Sequence, residues 1–175
     1  MRQRPDHYYI SEVTEQLIDQ LINVIGQMDS KGYSKPLPIF NGSSIGKHFR
    51  HIHDFYASLI NCSSSGVIDY CKRKRDADLE TIPQIIIQRF EEIKNEISRL
   101  NEDKEVEVHG DFEFSDGSRP NALSSLGREM LYTYDHGVHH LAIIKLGLRA
   151  EFPDIQIDES MGVAASTLRY AHSHS

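Results

Sequence analysis

Four long segments with apolar residues at helical spacing constrain the fold of this 175-residue chain more than any other feature. They cover about residues 11–27, 43–62, 81–100 and 121–146. Apolar side chains recur every three or four residues in each segment, which is typical of a helix with one buried face. Such helices bury these faces against one another. The pattern therefore predicts an all-α protein, an up-down four-helix bundle.

Residues with capping preferences lie near the ends of these segments. Ser11 is the N-cap candidate of the first helix, Ser43 or Ser44 that of the second, and Thr81 that of the third. Gly147 follows the fourth segment and is a candidate C-cap. These positions predict where each helix begins or ends.

A short stretch before the fourth segment has a different period. Around His109 and Gly110, apolar residues alternate with charged ones, and the apolar set is Val106, Val108, Phe112 and Phe114. Alternation of this kind predicts a small β-hairpin at about residues 105–115. A C-terminal extension of about residues 150–175 contains a helical candidate around 161–170. The length fits a single domain over residues 1–175.

Composition and charge restrict the function classes. The net charge of −7 argues against a broad nucleic-acid interface. The one basic run, residues 72–75, is followed by acidic residues, which favours a solvated loop or helix end over a binding patch. Cys62 and Cys71 match no metal-binding spacing and are expected to be reduced thiols. No secretory signal or membrane-spanning apolar run is apparent, so a cytoplasmic protein without membrane association is predicted.

Histidines carry the clearest chemical signal in the sequence. Six of the ten lie in two short stretches, residues 47–54 and 135–140, each within a predicted helix. His136 and His140 are four residues apart and share a helix face, while His48 and His51 are three apart. Two facing helices could therefore bring three or four imidazoles together as ligands of one metal ion. Spacing alone leaves His48 and His51 as competing partners of the later pair.

The remaining histidines receive a more ordinary interpretation. His53 and His139 are expected to lie at the surface or to contact the metal ligands without binding the metal themselves. The isolated or terminal ones are expected to have no functional role: His7, His109, His172 and His174.

A metal held by imidazole without thiolate suits Zn, Ni, Cu or Fe, and Zn²⁺ or Ni²⁺ is the prediction here. Glu129 lies on the helix stripe that contains His136 and His140, and it is the candidate catalytic group, orienting a ligand or accepting a proton. The alternative is that the histidines are structural and bind nothing.

Two motifs resemble those of the DinB-like (DNA-damage-inducible) four-helix bundle superfamily. Residues 44–52, SIGKHFRHI, resemble its S-[IV]-G-x-x-x-x-H-[IL] motif, and residues 127–142, GREMLYTYDHGVHHLA, resemble its GREL…H-x-x-H-H segment. The resemblance covers about residues 8–150. It implies a divalent-metal site formed by His51, His136 and His140.

The same resemblance suggests a function class. Its members include metal-dependent transferases that use low-molecular-weight thiols such as bacillithiol or mycothiol, and a relative of maleylpyruvate isomerase. A small-molecule substrate, such as a thiol, is therefore expected for a metal-dependent transferase or hydrolase. This chain departs from the pattern by its hairpin, its C-terminal extension and His48, a possible fourth ligand that would close the site. A closed site would favour the alternative, a non-catalytic metal- or small-ligand-binding stress-response protein. An apolar face left on the first helix could support a homodimer.

Overall fold

Seven α-helices and three β-strands make up the part of the chain that the computed structural model describes, residues 6–100, 102–110 and 112–173. The side chains of residues 6–9, Ser63 and His172 are not part of that description. The helices are α1 (Asp6–Gly26), α2 (Ser30–Ser34), α3 (Ile45–Ser65), α4 (Asp78–Thr81), α5 (Pro83–Ile97), α6 (Leu126–Glu151) and α7 (Ala165–Ser173). The strands are β1 (Val67–Asp69), β2 (Glu105–His109) and β3 (Asn121–Ser125).

The four long helices pack around a common apolar core. Helix α1 contacts α5 and α6, and α3 contacts the same two helices. The core contains side chains from all four, among them Ile18, Phe49, Ile86 and Ile144. The predicted helical segments are thus present. No helix in the described ranges is long and apolar enough to cross a membrane.

The all-α prediction is wrong, because the chain also forms a three-stranded mixed sheet. The strand order is β1-β2-β3, with β1 parallel to β2 and β2 antiparallel to β3. Strand β1 has three residues, too few for an alternating pattern to be visible in the sequence. Its Ile68 is buried and pairs with Val108, so the sheet closes over the core instead of standing apart from it.

The predicted hairpin at about 105–115 is also wrong in its second strand. Strand β2 pairs with residues 121–125, and Val106 lies opposite Ser124. Phe112 and Phe114 belong to the connection and are exposed, and Asp111 lies outside the described residues. The apolar and charged residues at 112–114 alternate as in a strand but do not form one. The third strand is instead formed by residues 121–125, which were expected to begin the fourth helix.

Three of the four expected caps do not have that role. Ser11 lies inside α1, and its hydroxyl donates to the Ile97 carbonyl. Gly147 lies inside α6, where a Cβ would overlap the ring of Phe40, so it permits close packing instead of ending the helix. Ser44, in contrast, is confirmed as the N-cap of α3, with its Oγ accepting from Lys47 N–H. Thr81 ends α4, and Ile82 precedes α5.

Gly46 provides a test of the packing that fixes the start of α3. A Cβ at this position would overlap the backbone carbonyl of Glu80 in α4 and lie close to the Tyr33 ring. Because a backbone group cannot move aside alone, Gly46→Ala should lower the free energy of unfolding by about 1–3 kcal/mol. Gly26→Ala is the matched control, since nothing lies within 4 Å of its Cβ. Urea denaturation of both variants measures the difference; equal stabilities would contradict this packing.

Candidate metal centre

Three histidines from two helices converge at one point. Helix α3 contributes His51, and α6 contributes His136 and His140. One ring nitrogen from each lies within 4.8 Å of the other two, and this group could hold a metal ion. The Nε2 atoms of His51 and His136 are 3.0 Å apart. Tetrahedral zinc with Zn–N bonds of about 2.0–2.1 Å separates its ligand nitrogens by about 3.4 Å, so a small adjustment would form the site.

Burial keeps these imidazoles in the neutral form that a metal requires. It is the main cause that lowers the pKa of His51 and of His136 to about 4, and that of His140 to about 3. Neighbouring positive charge adds to the effect, from Arg73 on His51 and from the other imidazoles on His140. All three rings are therefore neutral at pH 7, each with one N–H and one nitrogen that carries a lone pair.

His48 lies beside this group without belonging to it. Its Nδ1 is 3.3 Å from His140 Nδ1, and its ring packs against the edge of Phe40. Its Nε2 is buried and has no hydrogen-bond partner in the part of the chain that the structure describes. Burial lowers the pKa of His48 as well. The structure thus brings both competing histidines of α3 to the later pair, with His51 in the three-nitrogen group.

The other histidines of the two stretches lie apart from the centre. His53 has its Nδ1 3.5 Å from Asp54, and His139 is exposed with its ring near that of His140. The side chains of His7, His172 and His174 lie outside the described residues.

An aromatic stack holds the His136 ring in place. Phe55 of α3 is stacked on His136 at a centroid distance of 3.9 Å and on Tyr70 at 4.8 Å. Such contacts restrict the imidazole to one orientation. The metal-binding nitrogen of His136 is therefore positioned before a metal ion binds.

Glu129 is buried in the wall of the same cleft, with both carboxylate oxygens occupied. Tyr70 donates to Oε2 at 2.9 Å, while Ser124 and Arg128 donate to Oε1 at 2.7 and 3.0 Å. The Tyr70 hydroxyl is also 3.4 Å from that of Thr133. Glu129 thus fixes the Tyr70 side chain, and its catalytic role stays a prediction.

The histidines open into a cleft of about 500 Å³ between α3, α6 and the sheet. His51 and His136 line it together with Phe55, Tyr70, Cys71, Arg73, His109, Arg128, Glu129 and Tyr132. The segment after β1 therefore forms one wall. Asp69 holds this segment by accepting from Arg119 at 2.7 and 2.8 Å and from the N–H groups of Cys71 and Lys72. These bonds lower the pKa of the Asp69 carboxyl.

Among the cleft residues that sequence reasoning missed, Arg73 and His109 have the most chemistry to offer. Arg73 belongs to the basic run expected to be solvated, yet its Nη1 is 2.8 Å from His51 Nδ1. His109 was expected to have no role, yet its Nε2 is 2.6 Å from Glu107 Oε1 at the cleft wall. Glu107 and His109 are two apart in a strand and share one face, a signal that was available. Nothing in the sequence separates Arg73 from its basic neighbours.

Comparisons of the chain with protein-family models, with curated proteins and with solved structures find no match. Membership of the DinB-like superfamily therefore stays a prediction, based on the two motifs alone.

The neutral state of His51, His136 and His140, the histidine triad, predicts how the stability of the metal-free protein depends on pH. An unfolded histidine takes up a proton near its ordinary pKa of 6.5, whereas the triad in the fold does so only near pH 4 or below. Between these values the unfolded chain binds more protons, so the free energy of unfolding falls as pH falls. His136→Asn should flatten this dependence between pH 6.5 and 5, as measured by urea denaturation. Identical slopes for wild type and variant would contradict the assignment.

Proposed function

We propose that this protein is a metal-dependent enzyme acting on a small molecule, with Zn²⁺ or Ni²⁺ held by His51, His136 and His140. The observation that carries the proposal is the convergence of three neutral imidazole nitrogens at the wall of a cleft. Three protein ligands leave a coordination position open for water or substrate, as in catalytic zinc sites. The motif resemblance supports the same ligand set and favours a low-molecular-weight thiol as the group at the open position.

A divalent ion at this site would supply Lewis acidity and lower the pKa of a water or thiol that it binds. The chain provides the surroundings. Phe55, Tyr70 and Tyr132 form an aromatic wall that excludes water from part of the cleft. Burial of His51, His136 and His140 keeps them neutral, so no net loss of a proton is needed for them to ligate.

His109 is the side chain best arranged to accept a proton in the cleft. Its Nε2 donates to Glu107 Oε1, which fixes the ring and leaves Nδ1 as the acceptor. Asn121 donates to the same Glu107 oxygen at 3.0 Å and holds the carboxylate. Glu129, the acceptor expected from the sequence, already receives hydrogen bonds at both oxygens. We assign proton acceptance to His109 and the positioning of Tyr70 to Glu129.

His48 favours a second candidate function, metal sequestration without catalysis. A modest rotation could add a His48 nitrogen to the three, since its Nδ1 is 3.3 Å from His140 Nδ1 and its Nε2 has no partner within the described ranges. Four imidazoles would close the coordination sphere. Metal affinity of His48→Ala distinguishes the candidates: an open site retains its affinity, whereas a closed site loses a ligand and binds more weakly.

Removal of one ligand should abolish stoichiometric metal binding. His140→Ala eliminates one of three nitrogens, so the purified variant should retain far less than one equivalent of Zn²⁺ or Ni²⁺ after dialysis. His139→Ala is the matched control, because that residue is adjacent in sequence but exposed and outside the group. Elemental analysis measures metal per chain. A full equivalent in the His140 variant would show that the ligand set is wrong.

A further inference from the structure

The hydrogen bond from Arg73 to His51 determines where the proton of that ring lies. A guanidinium only donates, so Nδ1 of His51 must be the acceptor across the 2.8 Å contact. The proton of the neutral ring then lies on Nε2, the nitrogen that faces His136 Nε2 at 3.0 Å. In this arrangement His51 donates to His136. The lone pair it would need for a metal is replaced by a proton.

Metal ligation requires the opposite tautomer. The nitrogen of His51 that faces the other ligands must be free of hydrogen, which moves the proton to Nδ1. An N–H on Nδ1 would then face the N–H of Arg73 with no acceptor between them. The guanidinium must therefore leave His51 when that ring ligates a metal.

Each carboxylate that lines the two cavities around Arg73 already has a partner among the described residues, and Asp76, which accepts only the Asp78 N–H, is the least occupied. Glu129, the acid of the cleft, is occupied by Tyr70, Ser124 and Arg128. Arg73 also borders a neighbouring cavity of about 470 Å³, whose acids are engaged as well: Asp54 with Arg50, Asp76 with Asp78 N–H, Glu92 with Arg89, and Glu96 with Arg99. The Nε atom of Arg73 is buried and has no hydrogen-bond partner among the described residues. A guanidinium in this position is suited to an oxyanion brought by a ligand.

We propose that Arg73 is the carboxylate-binding residue of the cleft, released from His51 by metal ligation and then available to the ligand. The inference rests on the metal site proposed above. It also specifies the substrate class: a short molecule with a thiol for the open metal position and a carboxylate two or three carbons away. The spacing is short because Arg73 lines the same cleft as His51 and His136, and its guanidinium starts 2.8 Å from the His51 ring before its release. The carbon chain would lie beside the guanidinium at the edge of Phe55, because His136 and Tyr70 stack on that ring.

A pair of small thiols tests this specificity. Zinc-loaded protein is titrated calorimetrically with 3-mercaptopropionate and with 2-mercaptoethanol, which offer the same thiol but differ in the carboxylate. When a thiol binds, its proton passes to the buffer in both cases. Wild type should bind the carboxylate compound about tenfold more tightly or better, as expected for a charge-assisted hydrogen bond.

Arg73→Met should abolish this preference, whereas Lys74→Met, the same charge change at an exposed neighbour, should retain it. The Arg73 variant should also bind zinc more tightly in anion-free buffer, because no hydrogen bond to His51 has to break. Equal affinities for the two thiols in wild type, or a preference that survives in Arg73→Met, would overturn the proposal.

A measurement without metal separates this inference from the metal-site proposal. Nitrogen-15 NMR of the metal-free protein should show His51 with Nδ1 unprotonated, and Arg73→Met should lose that preference. A protonated Nδ1 in wild type would overturn the Arg73 contact, whatever the metal does. A chain that binds no zinc would overturn both proposals, whereas zinc binding without thiol discrimination would overturn this one alone.

Discussion

The contact between α3 and α6 is the constraint on which the rest of the structure depends. It brings His51 against His136 at 3.0 Å and His48 against His140 at 3.3 Å. Burying four imidazoles is unfavourable for their charged forms and leaves them neutral. The apolar packing of the same helices offsets that cost. Gly137 of α6 also permits close packing against α1, because a Cβ there would meet Leu17 at 3.3 Å.

The sheet determines which side of this contact is accessible. Gly66, whose φ of 71° suits glycine, ends α3 and connects it to strand β1. Strand β1 pairs with β2, and residues of β2 and of the segment after β1 line the cleft together with His51 and His136. Asp69 then fixes the following turn through Arg119, so Tyr70 and Arg73 are directed into the cleft. A bundle without these strands could position the same histidines. It would lack Arg73, His109 and the carboxylate preference that Arg73 is proposed to give.

Helical periodicity was enough to locate the long helices, because their buried faces repeat every three or four residues. The same periodicity placed His136 and His140 on one face of α6. It could not decide between His48 and His51, since both reach the later pair once α3 packs against α6.

The three-stranded sheet could not be predicted from local sequence patterns, for a physical reason. Its stability depends on pairing between residues distant in sequence, such as Ile68 with Val108, and β1 is too short to carry a pattern. Residues 121–125 looked helical because Leu123 matched the spacing of α6, yet that side chain is exposed on β3. Arg73 could not be singled out within the basic run 72–75, because the sequence does not show where the turn directs each side chain.

Anomalous diffraction at the zinc absorption edge, from crystals of the zinc-loaded protein, tests the central claim most directly. The account predicts one strong peak within bonding distance of His51, His136 and His140, about 2.0–2.1 Å from each nitrogen. It also predicts that one coordination position is not filled by the protein and that Arg73 has moved away from His51. A peak elsewhere, or a fourth bond from His48 that closes the site, would contradict it.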